Sequence, residues 1–423
     1  MAKMVVIGGS LGGLLAANML HRAGHEVKVL EKAVNSLDGR GAGIVTHRPL
    51  VVALARCGIA QDTPLGVPVA RRVVLASDGS IAEQAVMPQV LTSWSRLYAL
   101  LLAAFPADRY VQGASVRQVR QTSQGVTVVC DDGRTFDADV AVASDGIRSV
   151  VRNALAPEVA VKYAGYVAWR GVCDEVVLSK LTLDTVFDTF GFGLPAGEQL
   201  IGYPVAGAGN AVARGQRRYN FVWYRPAPDN GMLQSMMTDA DGQHYPLGLP
   251  PNKVAWQHVA AARQAARQLL APQFAEILDK AAQPFLQPIY DCSSQRTAFG
   301  RIALMGDASF VARPHVGMGV TKAAEDAMAL VDCIAQHGAN AQGLLAYEQM
   351  RLQPGQAVVE RARELGAYMQ AHADTALPGT TTRPLVRNAR DVMMQTAIDL
   401  STTQISPSFQ TTGDLHDHPS IVA

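Results

Sequence analysis

Residues 304–319 read Leu304-Met305-Gly306-Asp307-Ala308-Ser309-Phe310-Val311-Ala312-Arg313-Pro314-His315-Val316-Gly317-Met318-Gly319. An apolar run, Ile302–Met305, ends in Gly306-Asp307, and Gly317-x-Gly319 then opens onto a helix-like stretch, 322–336. A carboxylate behind a glycine at a strand's end can accept hydrogen bonds from hydroxyl groups. Glycines at a helix start let backbone N–H groups approach an electron-rich ligand closely. The stretch predicts a site for a ligand that carries both a polyol and a ring edge.

Two further strand ends carry matching chemistry. Met4–Ile7 is a short apolar strand that runs into Gly8-Gly9-Ser10-Leu11-Gly12-Gly13. Dinucleotide fingerprints place glycine at the first, third and sixth positions, here Gly8, Ser10 and Gly13. The serine is small, and its hydroxyl can itself meet a phosphate. A helix over 14–23 and a strand over 26–30 follow, and that strand ends at Glu31. A carboxylate there suits a ribose with a free 2′-hydroxyl. The third strand, Asp139–Ala143, ends before Asp145-Gly146 and a run with two arginines, Arg148 and Arg152.

The interval between these motifs has another texture. Tyr163–Gly171, Thr185–Phe192, Gln199–Pro204 and Tyr219–Tyr224 read as aromatic strands, and Asp78-Gly79 and Asp132-Gly133 as hairpin turns. Residues 253–282 and 322–372 read as helices. The tail reads as loops with one short helix, 387–399. The expected fold is α/β: a discontinuous Rossmann-type domain (1–68, 92–160 and 285–340), an inserted mixed-sheet substrate domain (69–91 and 161–284), and C-terminal helices and tail (341–423).

The 423 residues are 48% hydrophobic and 17% charged, with net charge +1. This permits a large core and gives no electrostatic support for nucleic acid or an anionic membrane. No apolar run has the length of a membrane span. Met1-Ala2-Lys3 enters a strand at once, so a cytoplasmic protein without a signal peptide is expected. The five cysteines lie far apart and read as reduced thiols; no metal-ligand spacing is present.

The three glycine–carboxylate motifs, in this order, resemble the class A flavoprotein aromatic hydroxylases, with the p-hydroxybenzoate hydroxylase-like fold. The resemblance implies FAD as cofactor, NADH or NADPH as co-substrate, and O2. It implies hydroxylation of a small electron-rich aromatic ring through a flavin C4a-hydroperoxide, and it points to a homodimer. Residue by residue it implies FAD contacts at Gly8, Ser10, Leu11, Gly13, Glu31, Lys32, Arg40, Arg96, Val116, Asp145, Asp307, Gly317, Met318 and Gly319. Many members carry asparagine where this chain has Thr321.

Finer texture is similar to members that act on hydroxypyridines: Tyr163–Gly171, Arg313-Pro314-His315, Ser10, Tyr203-Pro204 and Asn220–Tyr224. A hydroxylated pyridine such as 2,6-dihydroxypyridine is therefore the expected substrate, with a phenol or hydroxybenzoate as the alternative. A third reading, a binding protein that keeps the fold without a working flavin, is opposed by the intact glycines. Such a ring needs activation by a base or hydrogen-bond acceptor. His315, beside the flavin-facing glycines, is the first candidate, and His47 the second. Phe192, Tyr203 and Trp223, with His315, are the expected substrate contacts. Arg170 and Asp291 stay unassigned.

Overall fold

The computed structural model describes residues 1–35, 37, 43–246, 248–369 and 388–400. Its first sheet has six strands, in the order Ala298–Phe299, Ile302–Leu304, Val140–Ala143, Lys3–Ile7, Glu26–Leu30 and Tyr110–Val111. All neighbours are parallel except the Ala298–Phe299 hairpin. Strands buried on both faces in this way are almost uniformly apolar, which explains Met4-Val5-Val6-Ile7 and Val140-Ala141-Val142-Ala143.

One face of that sheet is covered by the helices Leu11–Arg22 and Gly319–His337. The first helix buries Leu14, Leu15, Ala16, Ala17, Met19 and Leu20. It is apolar nearly all round because it lies between the sheet and other helices. Asn18 survives there by donating to the carbonyls of Leu14 and Leu101.

The second sheet has nine strands, with Lys162–Asp174, Arg218–Pro226, Gln199–Val205, Phe190–Gly193 and Gly66–Leu75 adjacent in that order. The helices Trp256–Leu269 and Pro272–Lys280 pack on one face, against Trp169, Phe221 and Trp223. The other face carries Tyr166, Phe190, Phe192, Tyr203 and Tyr224.

Several expectations are corrected here. Thr185–Phe192 is not one strand: Leu183–Phe187 forms a single wide helical turn, and only Phe190–Gly193 joins the sheet. Val186 and Phe187 are buried by that turn, so apolar residues at strand-like spacing serve the core without pairing. Gly43–Val45 and Phe285–Ser293, placed by sequence in Rossmann segments, pair within the nine-stranded sheet. The tail does hold a short helix, Ala389–Gln395. Among the described residues, no helix is long and apolar enough to cross a membrane.

Candidate active site

Four parallel strands end at one level. Gly8 N bonds Leu30 O, Ser144 N bonds Ile7 O, and Met305 N bonds Ala143 O, each at 2.8–2.9 Å. The loops that leave these strands hold Gly8–Gly13, Glu31, Asp145 and Asp307. Ligands of open α/β sheets bind outside this carboxyl edge.

The first loop depends on glycine for defined reasons. Gly8 has φ +101°, and a side chain at Gly13 would run into the Gly8 carbonyl. Ser10 is the helix N-cap, yet its side chain makes no capping bond. Leu11 is buried in the core, so only its backbone can face a ligand. Glu31 accepts from Gly9 N and Ala33 N, both at 2.8 Å, which holds its carboxylate at the loop mouth beside exposed Lys32. Val116 opens the strand Val116–Gln121, and Arg40 lies outside the described residues. The Arg96 guanidinium donates to Pro64 O at 2.9 and 3.1 Å.

The Asp145 and Asp307 loops are tied together. Arg152, almost fully buried, donates to Ile147 O at 2.6 Å and to Ala308 O at 3.2 Å. Asp145 Oδ2 accepts from Val150 N at 2.8 Å, while its Oδ1 is buried without a partner. Burial pushes the Asp145 carboxyl up from the ordinary range, against its hydrogen bonds to Ser149 and the backbone. Asp307 is open to solvent yet ringed by protein, the signature of a recess floor, and this raises its carboxyl as well. Asp326 anchors that turn: it accepts from Gly306 N at 3.1 Å and from Arg351 Nε at 2.8 Å. Nearby, the Lys322 ammonium is buried without a hydrogen bond, 3.7 Å from Asp326 Oδ2.

Gly317 has φ +66°, Met318 is buried, and nothing lies within 4 Å of a Cβ built at exposed Gly319. Backbone amides are therefore presented openly at a helix start. A glycine cradle, an orphaned carboxylate oxygen and a recessed aspartate fit a flavin dinucleotide: phosphates on the first loop, a polyol at Asp307, a ring edge at Gly317–Gly319.

His315 is enclosed. Its Nδ1 lies 2.7 Å from Gln199 Oε1 and its Nε2 lies 2.9 Å from the Tyr166 hydroxyl. Its ring stands 4.1 Å from that of Tyr224, centroid to centroid. Burial and the Arg313 charge push its pKa down to about 3. The amide oxygen can only accept, so Nδ1 carries the proton and Nε2 accepts from Tyr166. The imidazole is thus neutral with both nitrogens occupied, which disfavours the general-base role expected from sequence. Arg313, two residues earlier, is held by Asp291 at 2.8 Å, and Arg363 grips the same carboxylate at 2.7 Å. Asp291 is therefore the anchor of the His315 loop.

His47 is also buried. Its Nδ1 lies 3.0 Å from Thr321 Oγ1, the residue at the position where many members carry asparagine. Its Nε2 has no well-formed hydrogen bond, although the Ala397 backbone is close. Burial lowers its pKa, with Asp399 and Ala397 opposing.

Strand alternation sorts the aromatic residues. Phe192 and Tyr203 share a face with Phe190, whose ring lies 5.1 and 5.0 Å from theirs. Tyr224 faces the same way, opposite Gln199. Trp223 does not: it points beneath the helices of the other face, which removes it from this group. The Tyr203 and Tyr224 hydroxyls have no hydrogen-bond partner among the described residues, and the Arg170 charge acts on both. Sequence reasoning gave no site role to Gln199, Arg152 or the 388–400 segment. Period-two alternation from Tyr203 reaches Gln199; nothing comparable marks the C-terminal segment.

A family model described as an FAD binding domain matches residues 1–190, and one described as FAD binding domain-like matches residues 163–291. The 2,6-dihydroxypyridine 3-monooxygenase of Paenarthrobacter nicotinovorans is 31% identical over 378 residues, covering 89% of this chain and 94% of that protein. The 3-hydroxybenzoate 6-hydroxylase of Klebsiella oxytoca is 25% identical, covering 87% and 89%. The solved structure of 2,6-dihydroxypyridine-3-hydroxylase from Arthrobacter nicotinovorans superposes with TM-score 0.82 at 30% identity, over 90% of this chain and 95% of that one. The chain therefore belongs to the FAD-dependent aromatic monooxygenases.

Proposed function

We propose that this enzyme uses NADH or NADPH and O2 to hydroxylate a hydroxylated pyridine, with 2,6-dihydroxypyridine as the model substrate. The observation that carries this reading is the aromatic wall of Phe190, Phe192, Tyr203 and Tyr224, with the Tyr203 and Tyr224 hydroxyls unpartnered among the described residues, beside the closed Tyr166–His315–Gln199 chain. A small heteroaromatic ring needs apolar walls and few, well-placed polar groups. The similarity to 2,6-dihydroxypyridine 3-monooxygenase supports the same substrate class.

Bound FAD supplies the redox chemistry, accepting hydride from the nicotinamide and activating O2. The protein's part is to bind, orient and exclude water. In this proposal Asp307 accepts from ribityl hydroxyls, Gly317–Gly319 amides meet the ring edge, and Glu31 meets the ribose. Gly8, Ser10, Leu11, Gly13, Lys32, Val116 and Asp145 line the dinucleotide path. His47, rather than His315, takes the proton-accepting role. The first sheet is the cofactor domain, and the aromatic face of the second is the substrate domain. Cytoplasmic residence and a homodimer belong to the same reading; the five buried, unbridged cysteines agree with a reducing compartment.

A hydroxybenzoate is the second reading. Among the buried cations near the aromatic face, Arg72 and Arg313 are taken by carbonyls and Asp291. Arg170, whose Nη1 donates to Gln287 Oε1 at 2.7 Å and whose Nε is buried without a partner, pairs with no carboxylate among the described residues and is the cation proposed to meet one. The test is NADH oxidation by the FAD-loaded enzyme against hydroxypyridines and hydroxybenzoates. Stimulation with product formation by 2,6-dihydroxypyridine supports the first reading. Stimulation by hydroxybenzoates alone supports the second.

A further inference from the structure

The described C-terminal segment, 388–400, is bound to the aromatic face through polar contacts that the reading above does not use. Arg72 stands at their centre. It is fully buried, in the strand Gly66–Leu75, and among the described residues no carboxylate pairs with it. Its Nη1 donates to Met393 O and Thr396 O, both at 2.6 Å, and its Nη2 donates to Ala397 O at 3.0 Å. Gln89 completes the shell: its Oε1 accepts from Arg72 at 2.7 and 3.0 Å, and its Nε2 donates to Ala397 O at 3.2 Å. The guanidinium also lies over the Phe190 ring, 4.7 Å from its centroid, on the proposed substrate wall.

A buried cation is costly unless its donors are met, and here backbone carbonyls meet them. The last carbonyls of a helix are orphans, and the helix Ala389–Gln395 ends at this point. One residue thus satisfies both needs and fastens the segment across the sheet.

The fastened segment touches the His315–Gly317 loop, Gln199 and the start of the helix after His47. Ala397 N donates to His315 O at 2.9 Å. Gln199 Nε2 donates to Thr396 Oγ1 at 3.3 Å, and the same amide's oxygen holds His315. Arg48 N donates to Asp399 Oδ2 at 2.9 Å, next to His47. A Cβ on Gly317 would stand 2.6 Å from that of Ala397. Ala397 itself holds φ +50°, a conformation that a non-glycine residue keeps only where its surroundings impose it.

We propose that Arg72 is a positioning residue: by clamping residues 393–397 it fixes the His315, His47 and Gly317 loops against one another and closes the substrate face. The functional part of this proposal rests on the hydroxylase reading above. The clamp serves coupling, the share of consumed NADH that yields hydroxylated product. Where the substrate face is loose, the reaction runs as NADH + H⁺ + O2 → NAD⁺ + H2O2.

The test compares wild type, Arg72→Met and Arg72→Lys as full-length, FAD-loaded proteins. Arg72→Met keeps length and apolar contact but removes every donor. Amide hydrogen exchange across 388–399 is read first, since it needs no substrate. In Arg72→Met the Ala397 amide is expected to exchange about tenfold faster or more, as local opening loses its charged anchor. Peroxide formed per NADH rises at least about twofold at saturating substrate, counted per bound FAD; Arg72→Lys recovers part of both changes. Unchanged exchange in Arg72→Met overturns the clamp, and faster exchange with unchanged coupling overturns its role in positioning. If Arg72→Met does not fold, Ala397→Pro replaces it, because it deletes the N–H given to His315 O and cannot hold a positive φ; it must show the same uncoupling, and wild-type coupling overturns the proposal. A wild type that hydroxylates nothing in the panel contradicts the substrate reading, while the exchange result still decides the clamp.

Discussion

His315 Nδ1 stands 2.7 Å from Gln199 Oε1, and this contact fixes the tautomer of a histidine with no access to solvent. Replacing Gln199 with leucine leaves that N–H buried and unpaired and also removes the bond to Thr396 Oγ1. The expected loss is about 1–3 kcal/mol of stability, measured by denaturant unfolding of the FAD-loaded protein. A smaller change than about 0.5 kcal/mol would mean that the amide does not hold the ring.

The pKa of His315, held at about 3, lies below the 6.5 of an ordinary histidine. Between those values the unfolded chain binds the extra proton, so the stabilising contribution is complete above the ordinary value and is lost as pH falls toward the folded one. His47, also lowered, acts with the same sign. Stability should fall on acidification below about pH 6.5 by up to about 1.4 kcal/mol per pH unit for each such histidine. His315→Gln should flatten that slope; an unaltered slope would show that His315 titrates normally.

Asp307 lies on the recess floor where a ribityl chain would run. Asp307→Asn should weaken FAD retention by about 10–100-fold, the value of one or two hydrogen bonds to a charged acceptor. Titration of apoprotein with FAD, followed by flavin fluorescence, measures this. Equal affinity would remove Asp307 from the flavin contacts.

Arg170 and His47 separate binding from chemistry. Arg170→Gln should raise the substrate KM about tenfold with kcat little changed, since a charge that holds an acidic oxygen acts in ground and transition states alike. His47→Gln should instead lower the hydroxylation rate about 10²-fold or more while substrate binding persists. Steady-state kinetics over a pH series read both; a pure KM effect of His47→Gln would leave the proton acceptor elsewhere.

The four central strands of the first sheet were legible in the sequence because their constraints are local. Gly8, Asp145 and Asp307 lie just past the ends of apolar strands, and a strand's end can be read from composition. The aromatic face was legible only in part. Trp223 and Tyr224 are neighbours in the chain, yet alternation sends them to opposite faces, and no turn signal fixes which is which. The Leu183–Phe187 turn has strand-like composition because burial alone shaped it. Arg72 and Ala397 meet across more than three hundred residues. A guanidinium bound to carbonyls leaves no mark on the partner sequence, since every residue has a carbonyl.

Oxygen insertion into a hydroxypyridine, the proposed reaction, is tested most directly by isotope labelling. The FAD-loaded enzyme is given NADH, 2,6-dihydroxypyridine and heavy-oxygen-labelled O2, and the product is weighed by mass spectrometry. One labelled oxygen atom is expected in each product molecule, with NADH and O2 consumed in equal amounts. NADH consumption that yields only labelled peroxide, or a product whose new oxygen comes from water, would contradict it.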